Sequence, residues 1–327
     1  MINYILKRIG LMFLTLWFVI TITFTAMYLI PGDPYNSEKL SEEVIYQMDE
    51  ANGFNRPFLV QYTDYFTNIL GLEGLIRTET EGPADDIFGF TLRESYATDQ
   101  DVSKILAKAY PISFSIGMVS VVLGVVLGIF LGVLASIKKN SFWDYIATII
   151  AVVGVSFPSF VIAAYLQYNF AVNLGWFPTL YSKSNSLSYV LPIAALSFFA
   201  IAQVARVTRT EMLEVLNSNY IILAKAKGVG TKKVIFQHAF RNTLVSVITI
   251  IGPLTISLTT GSLVIEKIFA IPGIGDKLVP SVLTHDVFLV LGCTILIALQ
   301  ILITYLAVDI LYVFVDPRIA IGGKNHE

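Results

Sequence analysis

Long apolar stretches separated by shorter polar ones make up most of this chain. Six windows contain no Asp, Glu, Lys or Arg: residues 9–30, 109–137, 145–178, 184–205, 242–265 and 287–308. About 20 apolar residues cross the hydrocarbon core of a bilayer as a helix. The pattern therefore predicts an all-α polytopic membrane protein with six transmembrane helices. The first window is longer than the apolar core of a signal peptide, about 7–15 residues, so we expect a retained helix.

Composition supports this class. The 327 residues are 55% hydrophobic and 14% charged, whereas a soluble domain carries about 25% charged residues. The single cysteine, Cys293, offers no internal disulfide, and the three histidines lie far apart in sequence. We therefore expect no metal site.

The positions of Lys and Arg predict the orientation. Basic residues precede the first window, fill the connection after the second and crowd the connection after the fourth: Lys7, Arg8, Lys138, Lys139, Arg206, Arg209, Lys225, Lys227, Lys232, Lys233 and Arg241. The opposite connections are poor in base. Because short cytoplasmic loops carry excess Lys and Arg, both termini are predicted to be cytoplasmic, and residues 31–108 form a large external segment between helices 1 and 2.

Within the external segment, residues 41–49 and 57–70 have the spacing of short helices. Residues 79–100 are acidic and contain Gly82, Pro83 and Gly89, which indicates a surface loop or small cap. This region is either a solvated lid or a docking surface for an external partner.

Glycines and prolines mark the predicted spans. Gly124, Gly128 and Gly132 share one face of helix 2 and permit close approach of another helix, either within this chain or in a second subunit. Helices 3, 4 and 5 each contain a proline, and a proline kinks a helix by removing a backbone hydrogen bond: Pro158, Pro192 and Pro253.

Few polar groups lie within the windows, and they are candidates for a pathway or for structural roles: Gln167, Asn169, Gln203, Gln300 and Asp309. Ion-coupled carriers need a titratable or ion-binding cluster near the midplane, and these residues form no such pattern. The chain also lacks a nucleotide-binding P-loop, since the string from Gly228 to Lys233 has neither its spacing nor its Gly-Lys pair. If ATP drives this protein, another chain binds it.

The segment 219–242 interrupts the apolar pattern with basic residues. Residues 213–227 can form an amphipathic helix, which Gly228 and Gly230 would end, and a second helix would start near Thr231. A short helix lying across the end of the bundle could enter a groove on another protein, or it could lie on anionic lipid. The residues alone leave both possibilities open.

This segment resembles the cytoplasmic loop of ABC importer permeases of the oligopeptide/dipeptide/nickel family. The matching strings are Tyr220-Ile-Ile-Leu-Ala-Lys-Ala-Lys-Gly228 and Val234-Ile-Phe-Gln-His-Ala-Phe-Arg-Asn242. Other marks of the family follow in order: Pro31-Gly-Asp-Pro34, Gly53-Phe-Asn-Arg-Pro57, Phe269-Ala-Ile-Pro-Gly-Ile-Gly275, Asp309-Ile-Leu-Tyr312 and Asp316-Pro-Arg-Ile319. Departures stand at Ile222 and Leu223, where the general signature has Glu and Ala, and at Phe240, where Leu is usual.

The resemblance implies that the chain is a non-catalytic permease subunit in a bacterial or archaeal cell membrane. A second homologous permease subunit, two ATP-binding subunits and an external or periplasmic binding protein would complete an importer for di- or oligopeptides. ATP and Mg would bind the partner subunits, with no cofactor in this chain and no nucleic-acid partner. Residues 1–30 would be the N-terminus and helix 1, 109–316 the permease core with a coupling loop at about 206–241, and 317–327 a cytoplasmic tail.

The resemblance also assigns a coupling site that receives the ATPase: Tyr220, Ala224, Lys225, Lys227, Gly228, His238, Arg241 and Asn242. Small residues at 224 and 228 would allow close docking and a sharp exit turn, and residues 241 and 242 would tie the loop to helix 5. A peptide substrate is favoured over nickel or another small solute because no cluster of His, Cys or acid lines the spans. Two further functions stay open: a membrane receptor or scaffold with a basic docking loop, and an ion-coupled carrier.

Overall fold

The structure is a computed structural model that describes residues 2–30, 41–70 and 92–315. It is built almost entirely of helices. In the first part of the chain these are α1 (Ile2–Leu29), α2 (Glu42–Asn52), α3 (Phe58–Ile69), the hairpin strands β1 (Glu94–Ser95) and β2 (Gln100–Asp101), α4 (Val102–Ile137), α5 (Phe142–Ser156) and α6 (Ser159–Leu166). They continue as α7 (Val190–Leu216), α8 (Asn219–Ala226), α9 (Thr231–Lys233), α10 (Phe240–Thr259), α11 (Leu263–Phe269), α12 (Ile274–Leu283) and α13 (Val287–Val315).

Turns of other helix types extend three of these elements. The π-helical segment Gln167–Asn173 continues α6, the 3-10 helix Ser186–Tyr189 leads into α7, and the π-helical segment Val234–Ala239 joins α9 to α10. By internal packing the described residues divide into two compact units, one comprising those within 112–275 and 300–315, the other those within 2–111 and 276–299. Each is described separately below.

Five helical stretches in the described residues are long and apolar enough to cross a membrane, and a bent pair makes six. The five are Lys7–Leu29, Val102–Ile137, Ser186–Leu216, Thr231–Thr259 and Val287–Leu311. The prediction of an all-α polytopic membrane protein is therefore confirmed. The helices extend well beyond the charge-free windows, because α4 begins at Val102 and α7 continues to Leu216.

The third predicted span is not one helix. α5 ends at Ser156, and α6 starts at Ser159 with its axis turned by 105°. Phe157 and Pro158 between them have extended backbone torsions. The residue before a proline is pushed out of the helical region, so the predicted kink at Pro158 is a complete break.

The other two prolines do not break their helices. Pro192 lies in the first turn of α7, where a missing N–H costs no intrahelical bond. Pro253 lies inside α10, which continues to Thr259. The fifth predicted span instead ends six residues early, because Gly261 adopts φ +95° and α11 starts separately at Leu263.

In the first unit, the glycine stripe of α4 packs against α7. A Cβ at Gly124 would collide with Ala200, one at Gly128 with Val204 and one at Gly132 with Thr208. Both series advance by four residues, so two matching helix faces meet along successive turns. Of the two possibilities for this stripe, the structure shows packing within the chain.

A charged pair joins α5 to α7 in the same unit. Asp144 is buried, and its carboxylate accepts hydrogen bonds from Arg209 Nε at 2.5 Å and Nη2 at 3.1 Å. The same carboxylate accepts from the backbone N–H of Asn140, which has φ +61° in the turn after α4. The turn predicted around Lys138 and Lys139 is thus fixed by an acid that the sequence pattern did not single out.

The second unit has an aromatic core. The Phe24 ring of α1 packs on Phe58, Tyr62 and Tyr65 of α3, and Tyr65 stacks on Phe288 with ring centroids 5.8 Å apart. Burial raises the pKa of the Tyr65 phenol, because the charged form is disfavoured away from water. The two short helices predicted at 41–49 and 57–70 are confirmed as α2 and α3.

The hairpin β1–β2 was not predicted. Buried Asp286 accepts from Ser95 Oγ at 2.5 Å and from the Ala97 N–H at 3.3 Å, which fixes the turn of the hairpin. Asp101 then begins α4 by accepting from the backbone and hydroxyl of Ser103, and these bonds lower the pKa of its carboxyl. The rest of the predicted loop, at 79–91, and the predicted tail at 317–327 lie outside the described residues.

Candidate functional site: the loop between α7 and α10

The amphipathic helix predicted at 213–227 is two helices. α7 ends at Leu216, and Ser218 has extended torsions of φ −72° and ψ 152°. Its hydroxyl donates to the carbonyl of Val215 at 2.6 Å. Serine and asparagine side chains compete for backbone groups and favour such breaks, so Asn217 and Ser218 separate α8 from the span.

Helix α8 is attached on one side and open on the other. Ile221 is completely buried, whereas Ile222 and Leu223 are 57% and 56% exposed. Phe236, in the π-helical turn that follows, is 60% exposed. Ile222 and Leu223 lie between the stretches long enough to cross a membrane, so their exposed apolar side chains are candidates for contact with another molecule.

The residues beneath α8 form a small core of their own. Met212, Ile235 and Ala239 are buried together, with Val133 and Val215 packed against them. This core holds the π-helical turn against the ends of α4 and α7. The outward side chains of α8 therefore project from a supported surface.

Gly228 provides the turn after α8. It has φ +81°, a left-handed conformation that glycine adopts without steric cost. Its N–H donates to the Lys225 carbonyl, and the next N–H donates to that of Ala224. A Cβ at this position would meet no atom within 4 Å, so within this chain the requirement for glycine comes from the backbone conformation.

One hydrogen bond connects the two ends of the loop. Asn242 Nδ2 donates to the Tyr220 hydroxyl at 2.5 Å. Arg241 is exposed, and its expected part in the tether stays a prediction. His238 is half-buried in the π-helical turn.

Positive charge surrounds this surface. Four lysines of the loop are exposed, and none forms an ion pair with the described part of the chain: Lys225, Lys227, Lys232 and Lys233. Ala224 is half-buried among them. The loop therefore combines exposed apolar side chains with unneutralised cations, an arrangement suited to an acidic, partly apolar partner.

Three of the five candidate pathway residues donate hydrogen bonds to described residues, and none of these bonds joins two candidates. Gln167 Nε2 donates to the carbonyls of Thr179 and Ile268, and Asn169 Nδ2 donates to that of Tyr165. Buried Gln300 donates to Thr259 Oγ1, joining α13 to α10. Gln203 and Asp309 are half-buried on α7 and α13.

Sequence reasoning missed a second buried acid of the first unit. Glu266 is 5% exposed and accepts from Ser113 Oγ at 2.7 Å, while the same hydroxyl accepts from the Ile274 N–H at 2.9 Å. Gly273 and Gly275 lie so close that a Cβ on either would press on the Glu266 carboxylate. The available signal was an acid shortly before the Pro-Gly-Ile-Gly string.

Comparison with known protein families identifies the class of membrane protein to which this chain belongs. Residues 124–321 match the family model of the inner membrane component of binding-protein-dependent transport systems, and residues 1–117 match the model of its N-terminal region. The chain belongs to this family, so the multi-pass membrane location and the resemblance found in the sequence are confirmed.

Two permease proteins of known name are similar to this chain over nearly its whole length. The chain is 38% identical to the dipeptide transport system permease protein of Bacillus subtilis (strain 168) over 326 residues, covering 99% of this chain and 100% of that protein. It is 37% identical to the oligopeptide transport system permease protein of Haemophilus influenzae over 321 residues, covering 98% and 99%.

A solved structure shares the fold. One chain of the MetNI methionine ABC transporter, in an inward-facing conformation, matches with a TM-score of 0.53 and 16% identity. The match covers 65% of this chain and 97% of that one. At this identity the similarity concerns the fold alone.

Proposed function

We propose that this chain is the transmembrane permease subunit of an ATP-driven importer of di- or oligopeptides. Relatives named for dipeptide and oligopeptide transport are similar over nearly its whole length. The observation that carries the mechanism is the surface of α8, where Ile222 and Leu223 project outward above the buried Ile221. This is the shape of a helix that seats in a groove of another protein.

The partners follow from what this chain lacks and what it exposes. No nucleotide-binding loop is present in the sequence, so ATP and Mg bind two separate ATPase subunits, and this chain is not itself catalytic. A second homologous permease subunit completes the pathway, and a binding protein delivers peptide from outside. In this arrangement both termini and the loop at 206–241 face the cytoplasm, as the distribution of Lys and Arg predicts.

Each part of the loop has a role in this mechanism. Leu223 and Ile222 enter the ATPase cleft, while Tyr220 and Ala224 flank them. Lys225 and Lys227 meet acidic groups at its rim, where charge pairs steer association. Gly228 turns the chain back, and the bond between Asn242 and Tyr220 links movement of α8 to the start of α10. His238 and Arg241 lie at the base of the same surface.

Reconstitution in proteoliposomes tests this function. The chain is combined with its partner permease, both ATPases and the binding protein, and peptide uptake and peptide-stimulated ATP hydrolysis are measured. Leu223→Glu should reduce copurification of the ATPase and coupled uptake at least about tenfold, since it places a charge in a desolvated contact. The conservative Leu223→Met is the matched control and should retain both activities.

Two results would contradict the proposal. Normal uptake by the Leu223→Glu complex would show that α8 is not the coupling contact. Absence of ATP-dependent peptide uptake by the wild-type complex, together with retained binding of a cytoplasmic protein to the loop, would indicate a receptor or scaffold.

A further inference from the structure

A polar cavity of about 350 Å³ lies in the first unit where two spans are interrupted. One wall is the break between α5 and α6, and another is the turn between α10 and α11. Four serines open into it: Ser156, Ser159, Ser257 and Ser262. The rings of Phe157 and Phe199 provide apolar lining.

The break that lines the cavity interrupts a span. α5 has 15 residues, a length of about 22 Å, which is shorter than a hydrocarbon core about 30 Å thick, so we expect the break at its end to lie within that core. Irregular backbone at such depth is tolerated only where it is buried in protein or lines a polar cavity. The interruption meets this condition by lining a cavity that contains serine side chains.

The serine hydroxyls have no partners among the described residues. None of the four makes a hydrogen bond there, and Ser262, in the N-cap position of α11, does not cap its helix. The threonines of neighbouring α10 behave differently, since Thr249, Thr255 and Thr259 each donate to the carbonyl four residues earlier. Hydroxyls at this cavity are thus left available for a ligand.

We propose that this cavity is the part of the pathway in this chain that binds the main chain of the transported peptide. A serine hydroxyl both donates and accepts, so the cluster matches the alternating N–H and C=O groups of a peptide without reading its side chains. The volume lies at the lower end for ligand sites and suits a dipeptide-sized segment. Phe157 and Phe199 accept apolar side chains of varied shape. The inference rests on the proposed function and names the substrate contact within it.

Uptake by the reconstituted full complex provides the first test, with trialanine as the probe. The double variant Ser159→Ala with Ser257→Ala should lower the uptake rate about tenfold while ATPase copurification stays normal. The matched control is Thr249→Val, which removes a hydroxyl that α10 already satisfies and should transport at the wild-type rate.

Thiol protection provides the second test. Ser257→Cys should be alkylated by a soluble maleimide in the complex, and saturating trialanine during ATP turnover should slow that reaction at least about fivefold. Ser184→Cys, at an exposed site in the connection before α7, should react at the same rate with or without peptide. The native Cys293 is buried, and the wild-type complex gives its background.

Each contrary result has a definite meaning. Unchanged uptake by the double variant, or alkylation at 257 that peptide does not affect, would show a cavity filled by lipid or by the second subunit and would overturn the inference alone. Failure of the wild-type complex to take up either dialanine or trialanine would overturn the proposed function and this inference together.

Discussion

Two glycine-containing turns of the first unit differ in the reason for their glycine. Gly228, after α8, has φ +81° and no neighbour within 4 Å of the missing Cβ. Gly273, before α12, has no positive φ, but a Cβ there would collide with Ser113 and Glu266. The first turn is open and needs a backbone conformation, whereas the second is closed and needs the absence of a side chain. The open turn is where we propose that a partner docks, whereas the closed turn is packed within the chain.

The largest loss of stability is expected from a substitution in the closed turn. Gly273→Ala forces the Glu266 carboxylate and the Ser113 hydroxyl apart, and overpacking of this kind costs about 1–3 kcal/mol. We expect a clear loss of thermal stability in detergent, measured by the unfolding midpoint of the purified protein. Loss of the hydrogen bond from the Ile274 N–H to Ser113 Oγ should lower the unfolding midpoint further.

Gly228→Ala is the paired control. An alanine can adopt φ +81° at a cost of about 1 kcal/mol, and nothing lies near enough to collide. Its midpoint should therefore fall less than that of Gly273→Ala. A larger fall at Gly228 would mean that the distinction between an open and a closed turn is wrong.

The smallest loss of stability is expected from removing the hydrogen bond between Asn242 and Tyr220, which crosses the open turn. Asn242→Ala removes one exposed hydrogen bond, worth about 0.5 kcal/mol, and should leave the midpoint almost unchanged. If the bond transmits movement from α8 to α10, uptake per ATP hydrolysed should nevertheless fall.

A double-mutant cycle with Tyr220→Phe checks that interpretation. The two single variants and the double variant should show the same reduced coupling, because each removes the same bond. Additive losses would instead point to separate roles for the two side chains.

The spans were the most predictable part of the fold. Apolar length determines which segments can cross a bilayer, and that property is local in sequence. The break in the third span was predicted only in part, since Pro158 indicated a kink and the structure has a complete interruption of the helix. Its 105° angle depends on packing such as that of Gly154 against Ala202 of α7, which no single window contains.

The closed turn could not be predicted for the same reason. Glu266 stands beside Lys267 and has the appearance of a polar connection between spans. It is buried in the structure, where Ser113, more than 150 residues earlier, donates a hydrogen bond to it. The roles assigned to the coupling residues remain predictions, although their open arrangement around α8 follows from local signals at 217, 218 and 228.

The broken third span has a consequence for how the protein enters its membrane. α5 contributes 15 residues, and α6 with its π-helical extension another 15, so neither half alone bridges a core about 30 Å thick. Both halves pack against α7. During biosynthesis the third span should therefore become firmly integrated only when the fourth arrives, and glycosylation mapping of chains truncated before and after α7 would reveal that dependence.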